Sequence, residues 1–312
     1  MTFELIFIAL GLVGLVVGGD LLVRGGLSLA GVLRMSPVAI GIVVLGFGTS
    51  MPELATSLTA ALRDQGEIAI GNVAGSNIAN ILLILGLTAL LFPVDCDPKV
   101  IRRDGTALMF FTAILVAGIL WTGFPRPLAL IMLAVFAAYL FIVVRGGDVD
   151  TPETTEVSHE HQWGRGVLFS LSGMVLLIVS ARLLVDGAVG IATDLGVSEA
   201  LIGLTVVAIG TSLPELAASV SAALKKQGGM AFGNVIGSNV FNAGAILSTT
   251  AVVSPLSLPE NIGVIDVAAL VAAAVFGLWF GVTGRRIVRW EGAVLLAGYV
   301  AYLVLTSQNA LS

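Results

Sequence analysis

The chain has 312 residues, of which 57% are hydrophobic and only 11% are charged, and its formal net charge at pH 7 is −5. A soluble domain of this length carries about 25% charged residues. Apolar runs of about 20 residues, the length that crosses a bilayer as a helix, recur along the whole chain. The composition therefore excludes a soluble globular protein and predicts an all-α, polytopic membrane protein whose surroundings are the lipid bilayer. No nucleic-acid partner is expected.

Hydropathy, loop charges and glycine or proline breaks predict ten membrane spans. The predicted spans are 3–23, 37–62, 70–91, 106–122, 127–145, 164–186, 199–224, 232–254, 264–283 and 288–306. The first run has no basic segment before it, so we interpret it as a span and not as a cleaved signal. The polar connection predicts three units: a first five-helix repeat at 1–145, a cytoplasmic linker at 146–163 and a second repeat at 164–312. His159 and His161 in the linker could bind a metal weakly, but a solvated linker is the favoured interpretation.

The second half of the sequence repeats the first at a constant offset of 162 residues. The aligned pairs are Leu21–Val23 with Leu183–Val185, Gly48–Glu53 with Gly210–Glu215, Gly71–Asn77 with Gly233–Asn239, Asn80 with Asn242, and Asp104 with Asp266. Five predicted spans separate equivalent positions, and five is odd, so the halves must lie upside down relative to each other. Inverted repeats are typical of secondary transporters, whose binding site lies near the bilayer midplane.

The basic residues predict how the chain is oriented in the membrane. With the N-terminus outside, twelve of the fifteen Lys and Arg residues fall on the cytoplasmic side, and only Arg63, Arg126 and Arg182 fall on or near the outer side. Cytoplasmic loops are enriched in these residues. The distribution agrees with ten spans and predicts that both termini face outward.

A proline and a glutamate interrupt the second predicted span. Pro52 removes a backbone donor and clashes with the preceding turn, so the helix should open around Thr49 and Ser50. Irregular backbone at membrane depth is tolerated only beside protein or a watery cavity, and a cation would suit the freed carbonyls. Glu53 adds a negative charge. Alone, this could be a kinked helix whose glutamate reaches the interface, but the second copy, Gly210–Glu215, favours a cation site with two carboxylates.

A second set of polar residues lies in the third and eighth predicted spans. Ser76 and Asn80 are four residues apart and share a helix face, and Ser238 and Asn242 repeat this spacing. A packing role for the serines and neighbouring glycines stays open, because small residues mark helix interfaces in membranes. Oxygen ligands alone favour a hard cation such as Ca²⁺ or Na⁺ over zinc or copper. The single cysteine, Cys96, excludes an intramolecular disulfide.

The motif Gly-Thr-Ser-x-Pro-Glu followed by Gly-Asn-x-x-Gly-Ser-Asn-x-x-Asn, present in both halves, resembles the alpha repeats of the calcium/cation antiporter superfamily, and prokaryotic sodium/calcium exchangers in particular. The resemblance covers nearly the whole chain. It implies exchange of Na⁺ for Ca²⁺ by alternating access in a prokaryotic plasma membrane, without a cofactor, as spans one and six slide past the rest. The implied Ca²⁺ ligands are Glu53, Glu215 and the carbonyls of Thr49 and Thr211. The implied Na⁺ ligands are Ser50, Ser76 and Glu53 in one half, Ser212, Ser238 and Glu215 in the other, and the carbonyls of Gly46 and Ala208, with Asn80 and Asn242 at the centre.

One departure from that family pattern leaves the driving ion open. Exchangers of this type often carry aspartate at the position of Asn242, so the centre here has two carboxylates in place of three. The alternative is a proton-driven Ca²⁺ or Na⁺ antiporter of the same fold, although the Thr-Ser pairs favour Na⁺. A cation channel lined by the two glutamates is a different class, against which the inverted repeat with broken helices argues. An enzyme is not expected, because the spans show no nucleophile–base pair and no cofactor motif.

Overall fold

The computed structural model describes residues 2–146, 159–196, 208–259 and 262–311, and these residues are almost entirely helical. The helices of the first half are α1 (Thr2–Leu33), α2 (Pro37–Thr49), α3 (Met51–Leu62), α4 (Gly66–Leu91), α5 (Pro98–Thr122) and α6 (Arg126–Arg145). Those of the second half are α7 (His159–Asp194), α8 (Ala208–Thr211), α9 (Leu213–Leu224), α10 (Gly228–Val253), α11 (Val264–Gly284) and α12 (Arg289–Leu311). Two short strands are β1 (Val94–Asp95) and β2 (Arg286–Ile287).

The prediction of an all-α, polytopic membrane protein is confirmed. Within the described residues, eight helices are long and apolar enough to cross a membrane, and the bent pair α2–α3 makes a ninth candidate. The predicted seventh span, 199–224, lies partly outside the described residues, which include only its α8 and α9. The count of ten spans therefore stays a prediction.

The packing of α1 against α7 shows that the two halves are inverted. The two helices touch at Gly11 with Ser180, Gly18 with Gly173, and Gly25 with Gly166. The residue number rises along one helix as it falls along the other, so two equivalent helices run antiparallel. A Cβ atom at Gly173 would lie only 2.5 Å from the backbone nitrogen of Leu22. Small residues are therefore required for this close contact, as is common between membrane helices.

The two halves share their local structure around the polar motifs. The bounds of α3 and α9 differ by the repeat offset at both ends. Both α4 and α10 change from α-helical to π-helical hydrogen bonding, and the π-helical segment begins at Asn80 in one and at Asn242 in the other. Such π segments occur frequently at functional sites.

Backbone pairing joins the two halves at both ends of the bundle. Val94 of β1 pairs with Ile287 of β2 in antiparallel register, which connects the α4–α5 loop to the α11–α12 loop. At the opposite end, Phe124 and Leu256 exchange two backbone hydrogen bonds of 2.7 and 3.2 Å, which connect the α5–α6 and α10–α11 loops. Leu256 is the repeat equivalent of Val94.

Several helices are longer than the predicted spans. The first helix ends at Leu33 and not at residue 23, α5 begins at Pro98 and not at 106, and α7 begins at His159, inside the predicted linker. A helix of 32 residues is about 48 Å long, whereas the hydrocarbon core is about 30 Å thick. Hydropathy locates the part of a helix that suits hydrocarbon, so it misses the turns that continue beyond it.

Candidate ion-binding site

Each half has one membrane-spanning segment that contains the Pro-Glu motif, and its helix is interrupted at the serine of that motif, Ser50 or Ser212. The backbone at Ser50 has φ −82° and ψ 7°, and at Ser212 it has φ −90° and ψ 3°. Around the first break, α2 and α3 meet at a bend of 44°. Pro52 and its repeat equivalent lie in the first turn of the following helix, where a missing backbone donor is tolerated. The predicted helix openings are therefore present in both halves.

The two glutamates of the motif are fully buried and lie near each other. Ser50 Oγ donates a hydrogen bond of 3.2 Å to Glu215 Oε1, a contact between the two halves. Ser50 lies three residues before Glu53, so this bond places Glu215 beside the first break. Both carboxylate oxygens of Glu53, and Oε2 of Glu215, are buried and accept no hydrogen bond from the described residues. A buried carboxylate without a partner is costly unless it is protonated or binds a cation, so this arrangement suits a group that exchanges one positive charge for another.

Neutral oxygens would have to complete the coordination of such a cation. Within the part of the chain that the structure describes, no group of three or more His, Cys, Asp or Glu side chains could hold a metal ion.

The central amides have two buried oxygens of this neutral kind. Asn80 Nδ2 donates to Asn239 Oδ1 at 3.0 Å, and Asn242 Nδ2 donates to Asn77 Oδ1 at 3.1 Å. Asn80 and Asn242 are completely buried, and their Oδ1 atoms accept no hydrogen bond from any described residue. Each amide therefore uses its nitrogen within the protein and keeps its oxygen available.

A pair of asparagines that sequence reasoning left without a role stabilises the two breaks. Asn72 Nδ2 donates to the backbone carbonyl of Glu53 at 3.2 Å and to Ser57 Oγ at 2.9 Å. Asn234 makes the equivalent bonds, at the same distances, to Glu215 and Ser219 in the second half. The repetition of Gly-Asn in both halves was the signal that could have indicated this role.

The predicted ligands Thr49, Ser238 and Gly46 are also buried at the junction of the halves. Ser238 Oγ approaches the carbonyl oxygen of Gly46 at 3.5 Å, across the two halves. Thr49 Oγ1 donates to the carbonyl of Leu45 at 3.0 Å, so this hydroxyl is engaged within its own helix. This bond uses the hydroxyl proton and leaves the oxygen lone pairs of Thr49 Oγ1 available as an acceptor.

For the remaining predicted ligands, the structure shows mainly where they lie. Ser76 is buried one helical turn before Asn80, and Ser212 Oγ is buried without a hydrogen-bond partner among the described residues. Thr211 lines a cavity of about 350 Å³ next to the second break. Ala208 is the first residue of α8, and its side chain lies outside the described part of the chain.

Three of the four aspartates near the ends of the predicted spans have polar partners. Asp104 is buried and paired with Arg103 at 2.7 Å, and it accepts a hydrogen bond from Tyr139 at 3.2 Å. Asp266 accepts bonds from the backbone of Gly263 and from the hydroxyl of Tyr302. Asp20 forms ion pairs with Arg24 and Lys225. Asp186 is exposed.

Inverted helical repeats, two broken helices and a buried carboxylate pair at their junction define a secondary transporter. The chain belongs to the sodium/calcium exchanger protein family, which matches residues 3–145 and 165–308. The two matched segments correspond to the two halves of the internal repeat.

Similar proteins match this chain over nearly its whole length. A relative from Alkalimonas amylolytica, named as a proposed antiporter, CaxA, is 38% identical over 98% of this chain and 99% of its own. The sodium/calcium exchanger MaX1 from Methanosarcina acetivorans is 33% identical over 98% of this chain and 99% of its own. A structure of the sodium-calcium exchanger NCX_Mj, soaked with Na⁺ and Sr²⁺, superposes with a TM-score of 0.84 at 34% identity, covering 97% of this chain and 98% of that one. This chain is accordingly an integral membrane cation antiporter.

Proposed function

We propose that the chain exchanges Na⁺ for Ca²⁺ across a prokaryotic plasma membrane by alternating access. The observation that carries this proposal is the buried pair of Glu53 and Glu215, three of whose four carboxylate oxygens accept no hydrogen bond from the described residues. Two carboxylates match the charge of one Ca²⁺ ion or of two Na⁺ ions. Because two neighbouring buried carboxylates cannot comfortably both stay ionised without a cation, the departing ion must be replaced. This requirement couples the two fluxes.

The ligands follow the assignment that the family resemblance implies. Ca²⁺ would bind between the two glutamates and the carbonyls of Thr49 and Thr211, with Asn80 and Asn242 nearby. Ca²⁺ takes six to eight oxygen ligands, and these groups are all oxygen donors. The proposed Na⁺ sites use the two glutamates with Ser50, Ser76, Ser212 and Ser238 and the carbonyls of Gly46 and Ala208. The hydroxyls favour Na⁺ as the coupling ion over protons, which need fewer oxygen ligands.

The distribution of basic residues supports an orientation with both termini outside. In this orientation the ion pair of Asp20 with Lys225 and the β1–β2 pairing lie on the cytoplasmic side. The cavity beside Thr211, which Arg182 also lines, then lies towards the outer side.

The test is uptake of ⁴⁵Ca²⁺ by proteoliposomes that are loaded with Na⁺ and diluted into Na⁺-free buffer at constant pH. A parallel set receives only a pH gradient, and a third set has no counter-ion at all. Glu53→Gln and Glu215→Gln remove the proposed ligands, whereas Asp64→Asn removes an exposed carboxylate as the matched control.

We expect uptake driven by the Na⁺ gradient, loss of this uptake in both glutamine variants and little change in Asp64→Asn. Uptake driven only by the pH gradient would reject Na⁺ coupling and support a proton-driven antiporter of the same fold. Uptake that needs no counter-ion would instead indicate a channel.

A further inference from the structure

Four asparagines form a hydrogen-bonded set at the junction of the two halves. Asn77 Nδ2 donates to the backbone carbonyl of Asn239 at 3.2 Å, and Asn239 Nδ2 donates to the carbonyl of Asn77 at 3.4 Å. The side-chain oxygens of the same two residues accept the bonds from Asn242 and Asn80, respectively. Asn77 and Asn239 therefore use both their donor and their acceptor groups, and all four residues are buried.

This bonding pattern determines which end of each central amide is available for a ligand. A side-chain amide has a nitrogen that only donates and an oxygen that only accepts hydrogen bonds. The nitrogens of Asn80 and Asn242 are bonded to the opposite half, and their buried oxygens have no hydrogen-bond partner among the described residues. If either amide were reversed, its oxygen would face the acceptor oxygen of Asn239 or Asn77, and its N–H groups would replace a cation ligand.

We propose that Asn77 and Asn239 are positioning residues, which hold the amides of Asn242 and Asn80 with their oxygens towards the transported cation. This inference rests on the proposed function of the same site. Asn77 acts on the amide of the second half and Asn239 on that of the first. The arrangement makes the centre of the site all-oxygen without a third carboxylate, and it disfavours ligands that need a hydrogen-bond donor.

A purely structural role for Asn77 predicts a different energetic pattern. If Asn77 acts through the amide of Asn242, its removal should weaken cation binding only while Asn242 is present. If it only packs α4 against α10, its removal should weaken binding to the same extent whatever residue occupies position 242. A double-mutant cycle separates these two cases, because coupled residues give non-additive effects.

The experiment measures equilibrium binding of ⁴⁵Ca²⁺ to the purified full-length protein in detergent. The test cycle uses Asn77→Ala, Asn242→Ala and the double variant. The matched control cycle combines Asn77→Ala with Asn80→Ala, since Asn80 is oriented by Asn239 and not by Asn77. Thermal unfolding of each variant in the same detergent reports whether it is folded.

We expect Asn77→Ala and Asn242→Ala each to weaken Ca²⁺ binding about tenfold, the size of one hydrogen bond to a charged partner. The double variant should bind no more weakly than Asn242→Ala alone. In the control cycle the two losses should multiply to about 100-fold.

Equal, multiplicative losses in both cycles would overturn the proposal, as would unchanged binding by Asn77→Ala. If Asn77→Ala does not fold, the mirror cycle of Asn239→Ala with Asn80→Ala, controlled by Asn242→Ala, gives the same test. If neither Asn77→Ala nor Asn239→Ala folds, these amides serve folding and the proposal is rejected. A wild-type protein that does not bind ⁴⁵Ca²⁺ would reject the proposed function, whereas normal wild-type binding with multiplicative cycles would reject only this inference.

Discussion

The two helix breaks have nearly the same local structure, but the long helix beside each break is packed differently. On the cytoplasmic side of the proposed orientation, α1 lies directly against α9. A Cβ atom at Gly19 would lie 2.8 Å from the carbonyl oxygen of Ala217. One residue further along, Asp20 forms an ion pair with Lys225 at the end of α9. This side of the junction is closed.

On the outer side of the junction, a cavity of about 350 Å³ lies where α7 would make the contact equivalent to that of α1 with α9. It is lined by Ala55 of α3 and by Ala181 and Arg182 of α7. These are the repeat equivalents of Ala217, Gly19 and Asp20, the three residues described for the closed side. Equivalent positions of the two halves are therefore packed differently, and two of the three pairs also differ in sequence, with Ala181 in place of Gly19 and Arg182 in place of Asp20.

This difference indicates how the proposed exchange could occur without a change in the site itself. If α1 and α7 together exchanged their surroundings, the cavity would close and an equivalent cavity would open on the Lys225 side. Such exchange between equivalent states is the general scheme for transporters with inverted repeats. Four predictions test whether the two helix breaks contribute equally to the site and whether the closed and open sides of the junction differ as described.

The largest expected effect is the loss of transport when the glutamate at either helix break is replaced. Glu53→Gln and Glu215→Gln should each reduce Na⁺-driven ⁴⁵Ca²⁺ uptake by more than about 100-fold, because each removes one of two paired buried charges. If one variant kept a tenth of the wild-type rate, the two halves would contribute unequally to the site. Protein incorporated into the liposomes must be matched by immunoblot.

The second prediction tests whether α1 and α7 form one rigid pair. Gly173→Ala places a methyl group 2.8 Å from the carbonyl oxygen of Gly18, as well as against the backbone of Leu22. The helices must separate, which should lower the free energy of unfolding by about 1–3 kcal/mol. Gly164→Ala in the same helix is the control, because its Cβ meets no described atom within 4 Å. Equal melting temperatures for the two variants in detergent would show that the contact is loose.

The third prediction concerns a variant that weakens the contact between α1 and α9 on the closed side. Lys225→Gln removes the partner that Asp20 has on α9 and leaves only Arg24 of its own helix, and a partly exposed ion pair contributes about 1 kcal/mol at most. The population with an open outer cavity should fall by up to about fivefold. The measurement is the rate at which an impermeant maleimide labels Thr56→Cys, in the Cys96→Ser background, because Thr56 lines the outer cavity.

The control for this variant is the charge exchange Asp20→Lys with Lys225→Asp, made together with Arg24→Gln because Arg24 also pairs with Asp20, and it should restore the labelling rate of Thr56→Cys by re-forming the pair. If Lys225→Gln leaves labelling unchanged, the ion pair does not help to hold the side closed. Loss of labelling in the charge exchange as well would show that other contacts dominate.

The smallest expected effect is an absence of reaction on the closed side. Cys96 is buried, and burial raises the pKa of its thiol to about 12, so it stays protonated at neutral and mildly alkaline pH. Because the thiolate is the reactive form, maleimide should not label the native protein at pH 8 on the timescale that labels Thr56→Cys. Rapid labelling would show that the loops around β1 open readily. Protein unfolded in detergent at the same pH is the positive control.

Sequence reasoning identified the repeat and the breaks because both depend on local chemistry. Pro52 and Glu53 are unfavourable in a lipid-buried helix, and their return in the second half makes a chance origin untenable. The same reasoning placed Asn80 and Asn242 in the site. It misplaced the ends of α1 and α7, because helical hydrogen bonding continues through charged turns such as that of Arg24, which pairs with Asp20.

The roles of Asn72 and Asn77 could not be read from the sequence. Each acts through a residue far away in the chain: Asn72 holds the carbonyl of Glu53, and Asn77 accepts from Asn242. Periodicity shows which helix face a residue shares, but it does not show which residue lies opposite on another helix. The sequence does distinguish the two sides, since Gly19 and Asp20 correspond to Ala181 and Arg182, but without the structure these differences could not be linked to α9 or to Lys225.

The backbone pairing between loops has a mechanical consequence. Main-chain hydrogen bonds join the two halves at both ends of the bundle. They pair Val94 with Ile287 at one end and Phe124 with Leu256 at the other. Both ties involve only the loops of α4, α5, α6, α10, α11 and α12. The two halves are therefore held together by main-chain pairing at both ends of the bundle, and neither α1 nor α7 takes part in this pairing. If α1 and α7 move together as proposed, the surface that slides is the one they present to the broken helices, where Gly19 of α1 meets Ala217 of α9.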